Sequence, residues 1–356
     1  MGTIVVVSEP LEFQSVAWGD RLPARYGAVE DEHLALREDW VLYDRSWTTV
    51  VEMTGEDRVR FLNGLITSDV RELGEGDGQH GFVTDAKGKV VTDVGLFALE
   101  DRLWMEAAPG KAAHLAEHLG KYVITDRVEL AVLEEQVAVA LCGPRAEEAL
   151  GSLVEGELPG ADWGHRAVDL ADRAAWLCRH PRLGVDGFVV RASRTDAEEI
   201  RRRLVADDGG PREVGHHVME AARIAAGLPL AGVDLDEATL PQETGEEGAI
   251  SYTKGCYLGQ EVVARVHYLG KVNRTLRGLR FEDGTLPELG AELSADGRPV
   301  GRVTSAVRIP GSSEFVGLAL LHRKGAEVGE RLSVDGGAHA VVTELPTEDL
   351  PTAVTD

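Results

Sequence analysis

The stretch GFVTDAKGKVVTDVGLFALEDRLWMEAA, Gly81–Ala108, reads as three β-rich runs cut by two turn signals, Asp85–Gly88 and Glu100–Arg102. Apolar and β-branched runs separated by Asp, Gly and charged residues predict an antiparallel meander. Working outward, WTTVVEM (Trp47–Met53) predicts a further strand. Thr54, with Asp57 three residues on, is placed as the N-cap of a helix through RVRFLNGL. Small apolar residues predict another helix over Lys111–Leu119.

From about Glu134 to Ala206 the order is strand (VAVALCG), helix (PRAEEALGSLV), strand (AAWLC), strand (GFVVRA) and helix (TDAEEIRRRLV). That order is the start of a ferredoxin-like βαββαβ unit. A helix is predicted at about Glu213–Ala226, and from near Lys271 short β-runs alternate with EDG, ADG, PGSS and DGG. Such a pattern closes most simply as a small β-barrel or sandwich. The polar tail PTEDLPTAVTD is expected to fray.

A chain of 356 residues can hold two or three domains, and 43% apolar with 28% charged residues fits a soluble globular protein. No apolar run reaches bilayer length, and MGTIVVVSEP lacks the basic start of a signal peptide. With 37 basic against 61 acidic residues, the net charge of −24 opposes nucleic acid as a direct partner. The basic run Arg201–Arg203 follows TDAEEI, where it would pair with the preceding acids. Three cysteines (Cys142, Cys178, Cys256) form no CxxC, which makes a reducing cytoplasm the simplest compartment. A phosphate loop, a GxGxxG opening a βαβ unit and a GxSxG elbow are missing. His216 and His217 point about 100° apart on a helix, so a solvated or capping role is expected; no metal site is predicted.

TKGCYLGQEVVARV, Thr253–Val266, places a thiol among polar and turn-forming residues. Cys142 and Cys178 fall in apolar strands and are expected to be buried. Cys256 is expected to be exposed and reactive, its thiolate favoured by Lys254 and by the helix start at GQEVVARV.

KGCYLGQE (Lys254–Glu261) resembles the signature of the YgfZ family, a branch of the folate-binding superfamily that includes the glycine cleavage T-protein. FLNGLITSDV (Phe61–Val70) is similar to that superfamily's FLQGLxTNDV segment, and DAKGKVVTDV (Asp85–Val94) to the stretch carrying the T-protein's catalytic aspartate. AARIAAGLPLAGVDLDEATLPQE (Ala221–Glu243) is similar to its LRLEAGxPxxGxD…PxE segment.

The resemblance implies an α+β, three-domain, T-protein-like cloverleaf around a central hole that receives tetrahydrofolate. Residues 1–133 with 228–270 would form a discontinuous folate-binding domain, 134–227 a ferredoxin-like second domain, and 271–356 a C-terminal β-barrel. The function it implies is support of iron–sulfur cluster assembly or repair in client enzymes, with Cys256 and Lys254 as the reactive groups. The partner would be a cluster carrier or a client enzyme. Cys256 alone cannot hold a cluster, so further thiolates would come from the partner or from glutathione. The alternative is a tetrahydrofolate-dependent aminomethyltransferase, in which Asp93 supplies the catalytic carboxylate; a scaffold that merely docks a cluster carrier is the third reading. T-proteins carry an FIG-type motif where this chain has GCYLGQE, which favours the YgfZ branch. Implied cofactor contacts are Asp93, Arg223, Asp186, Glu243, Gln260 and Glu261. Asp186 and Glu243 enter because GVDGFV (Gly184–Val189) puts Val185 where T-proteins place a pterin-binding glutamate.

Overall fold

The computed structural model describes residues 12–15, 21–270, 272–282 and 284–347. The expectations for MGTIVVVSEP and for residues 348–356 of the tail lie outside them. Strands β1 (Glu12–Ser15) and β2 (Arg21–Arg25) pair antiparallel ahead of α1 (Val29–Glu38) and β3 (Val41–Asp44). There follow β4 (Thr49–Thr54), α2 (Arg58–Asn63), β5 (Gly78–Thr84), β6 (Val90–Ala98), β7 (Leu103–Ala107), α3 (Ala112–Gly120) and β8 (Glu129–Leu133). The next group is β9 (Gln136–Cys142), α4 (Ala146–Leu153), β10 (His165–Leu170), β11 (Arg173–Arg179), β12 (Gly187–Ser193), α5 (Arg194–Ala206), β13 (Arg212–Val214) and α6 (His216–Ala225). Two 3-10 turns and α7 (Gln260–Leu269) lead into β14 (Arg274–Phe281), β15 (Glu292–Ala295), β16 (Arg298–Arg308), β17 (Phe315–His322), β18 (Arg331–Val334) and β19 (His339–Thr343).

The expected meander is β5-β6-β7, widened by β4 and β8 into a five-stranded sheet. Its alternation is strict. Val94, Leu96 and Ala98 of β6 and Leu103, Met105 and Ala107 of β7 pack with Leu62 of α2 and with Leu115 and Leu119 of α3. Because strand side chains alternate with period two, Asp93, Gly95, Phe97, Trp104 and Glu106 all turn to the other face. Thr54 does not cap α2: it ends β4, and the Asp57 carboxylate just before the helix accepts from Arg127 N at 2.9 Å.

The second sheet has the order β10-β11-β12-β9-β3-β13, antiparallel except for β13 against β3. Leu150 of α4 and Ile200 of α5 cover one face against Leu141, Phe188 and Val190. Ser193 caps α5 by accepting from Asp196 N at 3.2 Å. The expected strand and helix order is present, with one further strand, β10, before the hairpin. The boundary expected at 133/134 cuts through this sheet, because β3 hydrogen-bonds to β9 and Leu36 of α1 packs on the sheet's second face. Without β3 that side of β9 would be an open edge.

Helix α6 is buried on nearly every side. Val218, Met219 and Ala222 meet the six-stranded sheet, and Ala221, Ile224 and Ala225 meet the barrel. A helix of that character is stable only inside a core, and α6 thereby joins the two units. The barrel closes in the order β14-β17-β16-β15-β18-β19 around Leu279, Leu293, Val303 and Leu321. Residues 239–258 return to the first sheet: Val90 N donates to Thr239 O, Ser251 N to Thr67 O and Leu258 N to Gly64 O, each at 2.9 Å. No helix among the described residues is long and apolar enough to cross a membrane.

Candidate functional site

Where the two sheets and α6 converge, a cavity of ≈ 80 Å³ is lined by Asp93, Gly95 and Glu106 of the first sheet together with Arg45, Trp163, Arg182 and Arg223. Strand register sets Glu106 opposite Gly95. A Cβ on Gly95 would stand 2.5 Å from the Trp163 ring, so glycine is what admits that indole to the wall.

Glu106, 7% exposed, organises one end. Its Oε1 accepts from Arg45 Nη2 at 2.8 Å and lies 3.2 Å from His180 Nε2, while Oε2 accepts from Arg191. Burial works to raise this carboxyl, but Arg45, His180 and Arg191 hold it well below the usual range. Burial, reinforced by Arg45, pushes His180 down to about 4, so it is neutral at pH 7. Two guanidinium groups therefore share one carboxylate. Among the described residues, Arg45 Nε and Nη1 have no hydrogen-bond partner.

Asp93 marks the other end, 6% exposed. Its Oδ2 lies 3.4 Å from His80 Nε2 and 3.6 Å from Arg182 Nη2, and its buried Oδ1 has no partner among the described residues. His80 Nδ1 is 2.7 Å from Glu246 Oε2, and Arg182 pairs with the other oxygen of Glu246. Burial and Arg182 oppose a charge on His80, yet Glu246 and Asp93 outweigh them and raise its pKa. Glu246 is buried, which favours its neutral form, but Arg182 and His80 drive it far below the carboxylate range.

Cys256 is exposed, on a turn between Gly255 (φ +100°) and Gly259 (φ +82°), just before α7. Cys142 and Cys178 are buried; burial pushes the Cys142 thiol up to about 12 and that of Cys178 higher still. Lys254 does not serve the thiol as expected. Its Nζ, on a residue 4% exposed, donates to the carbonyls of Asn63 (2.6 Å), Ile66 (2.6 Å) and Ser68 (2.8 Å). Burial pushes this ammonium down to about 7.

A model of the GCVT N-terminal domain matches residues 5–254, and one of the glycine cleavage T-protein C-terminal barrel domain matches 274–348. The chain belongs to the glycine cleavage T-protein family. An aminomethyltransferase of Thermus thermophilus is 32% identical over 338 residues, covering 92% of this chain and 93% of its own. Another from Lysinibacillus sphaericus is 26% identical over 325 residues, 89% of this chain and 88% of its own. A putative chloroplastic transferase of Arabidopsis thaliana is 26% identical over 321 residues, 89% of this chain and 73% of its own. The crystal structure of glycine cleavage system aminomethyltransferase T from Bartonella henselae has the same fold, with a TM-score of 0.81 over 94% of each chain at 24% identity.

Within this T-protein fold, two residues singled out by sequence, Asp93 and Arg223, meet at the cavity. Asp93 is mid-strand in β6 rather than beside a turn. Arg223 has no N–H to spare. Its Nε and Nη2 hold Glu220 at 2.8 and 2.6 Å, Nη1 reaches Asp234 at 2.8 Å and Leu228 O at 2.5 Å, and Nη2 also donates to Ser305 Oγ at 2.7 Å. It clamps α6, the 228–234 loop and the barrel strand β16. Glu243 is also committed, accepting from Leu240 N at 2.9 Å and from Arg274 at 2.8 and 3.2 Å. Asp186 is exposed and borders a separate surface cleft, while Val185 packs against the α6 cluster. Gln260 accepts from Tyr257 N at 3.2 Å and Glu261 is exposed on α7. His216, far from being solvated, is buried with Nδ1 2.7 Å from Tyr43 Oη. Arg202 and Arg203 pair with Glu199 as expected, whereas Arg201 turns to Glu213.

Sequence reasoning passed over Arg45, His80, Glu106, Arg182, Arg191 and Glu246. A signal existed for Glu106 and Arg191: each is a lone charge in a run, LWMEA or GFVVRA, otherwise apolar enough to be buried on both faces.

Proposed function

We propose that this chain is a tetrahydrofolate-dependent one-carbon transferase of the aminomethyltransferase type, working at the Asp93 end of the cavity. The observation that carries the reading is the buried Oδ1 of Asp93 at the cavity wall, unpartnered among the described residues. Such an atom is costly unless a ligand N–H completes it, so it fits a reduced folate, whose ring nitrogens offer donors. Tetrahydrofolate, when bound, supplies the nucleophilic amine that accepts the carbon. His80 and Arg182 hold Oδ2 and leave Oδ1 to accept an N–H or its proton, the work of a positioned carboxylate base. Trp163 and Pro109 wall the cavity and limit water beside that oxygen. The resemblance of Thermus thermophilus aminomethyltransferase over nearly the whole chain supports the same reading.

The experiment is turnover of an aminomethylated lipoyl carrier with tetrahydrofolate by wild type, Asp93→Asn and Cys256→Ser. Turnover lost in the first variant and kept in the second is the expected pattern.

A second reading, YgfZ-type support of iron–sulfur enzymes, is favoured by one observation, the exposed Cys256 on a glycine-flanked turn. Under it, Cys256→Ser abolishes rescue of iron–sulfur enzyme activity in a strain lacking its own YgfZ-type protein, and Asp93→Asn is mild.

A further inference from the structure

The Arg45 end of the cavity has an unusual balance. Arg45 and Arg191 both bind Glu106, His180 beside them is neutral at pH 7, and so this buried cluster carries one positive charge in excess. A guanidinium has five N–H donors. Nη2 of Arg45 is held by Glu106, but Nε and Nη1, with three N–H between them, are buried and unpartnered among the described residues. The Trp47 ring, its centroid 5.3 Å from the Arg45 guanidinium carbon, supports the cation through its face. Arg45 is 6% exposed, so bulk water does not take them either. A buried cation with free donors is stabilised far more by an anion than by a neutral carbonyl, and arginine geometry suits a carboxylate. The cavity volume, ≈ 80 Å³, is several times the roughly 10–15 Å³ needed to hold one water, and Asp93 at the same cavity offers the complementary acceptor.

We propose that Arg45 forms a carboxylate-recognition subsite of the cavity, taking the acid group of a ligand whose N–H donors face Asp93. That carboxylate belongs either to a small free amino-carboxylate that binds beside the folate or to the glutamyl tail of the folate itself. The inference rests on the proposed function only in placing both ligands in this one cavity.

The test is calorimetric titration of two matched pairs: glycine against glycinamide, and tetrahydrofolate against 6-methyltetrahydropterin, which lacks the glutamyl tail. In wild type, at least one carboxylate-bearing member binds tenfold or more tighter than its match, and Arg45→Lys reduces that ratio to under threefold. A ratio carried by glycine identifies a separate small ligand; a ratio carried by tetrahydrofolate identifies the tail. Ratios under threefold for both pairs in wild type, or a tenfold ratio that survives in Arg45→Lys, overturn the subsite. Arg45→Gln is the second variant should the lysine fail to fold, with circular dichroism reporting the fold of each. Glycine preference without any pterin binding sinks the folate reading alone; pterin binding without carboxylate preference sinks the subsite alone.

Discussion

The cavity and the Cys256 loop handle buried charge in opposite ways. At the loop, the three hydrogens of Lys254 meet the three carbonyls of Asn63, Ile66 and Ser68, and the thiol next to it stands in solvent. At the cavity, Arg45 and Asp93 are as deeply buried but keep polar atoms without partners among the described residues. A satisfied buried charge fastens the fold, whereas an unsatisfied one calls for an explanation, of which a bound ligand is one. That contrast fits a scaffold role for Lys254 beneath Cys256 and supports placing the proposed ligand chemistry between the sheets.

The widest gap should appear in catalysis. Asp93→Asn should lower one-carbon transfer by about 10²–10⁴, the usual worth of a positioned base, while Cys256→Ser stays within about twofold. Equal losses in both variants would erase the distinction between the regions.

Stability should separate Arg45, which keeps open donors among the described residues, from the fully clamped Arg223. Arg223→Met strands Glu220 and Asp234 at the junction of α6 and the barrel, and should cost about 3–5 kcal/mol in denaturant unfolding. A loss under about 1 kcal/mol would mean that the clamp does not hold the two units together.

A pH effect should follow from His180. Unfolded, its imidazole takes a proton near pH 6.5; buried beside Arg45 it does so only near 4. The unfolded state therefore binds the extra proton first, and stability falls as pH drops from about 6.5 to 4, by about 3 kcal/mol for this group. His180→Asn should flatten that part of the profile measured by urea midpoints. An unchanged slope would place the acid sensitivity elsewhere.

The smallest effect is at the loop. Lys254→Met removes the donor from three carbonyls and should cost about 1–3 kcal/mol. Alkylation read by mass spectrometry should label Cys256 in the native protein and reach Cys142 and Cys178 only on unfolding. Native labelling of either buried thiol would contradict their packing.

Local pattern made much of this legible. The turn signals of Gly81–Ala108 gave the meander, and the DG and GSS punctuation after Lys271 gave the hairpins of a barrel or sandwich, because hairpins are encoded by neighbours in sequence; the choice of a barrel came from the family resemblance. The pairing of β3 with β9 was not legible, since nothing in VLYD names a partner about a hundred residues away. The site divides the same way. Asp93 was reachable from its motif, and Cys256 from its glycines. The Arg45–Glu106–Arg191 cluster joins positions 61 and 85 residues apart on two sheets, so only the folded chain brings it together. Arg223 was found but misjudged, because a sequence cannot show that Glu220, Leu228, Asp234 and Ser305 already use all its donors.

The most direct test of the account is calorimetric titration of tetrahydrofolate into wild type, Cys256→Ser and Asp93→Asn. The account predicts binding to wild type in the range of about 1 μM to 1 mM typical of enzyme substrates, the same affinity within about twofold in Cys256→Ser, and a clear weakening in Asp93→Asn. Absence of heat and of any melting shift in wild type at millimolar tetrahydrofolate, or binding lost in Cys256→Ser and intact in Asp93→Asn, would contradict it.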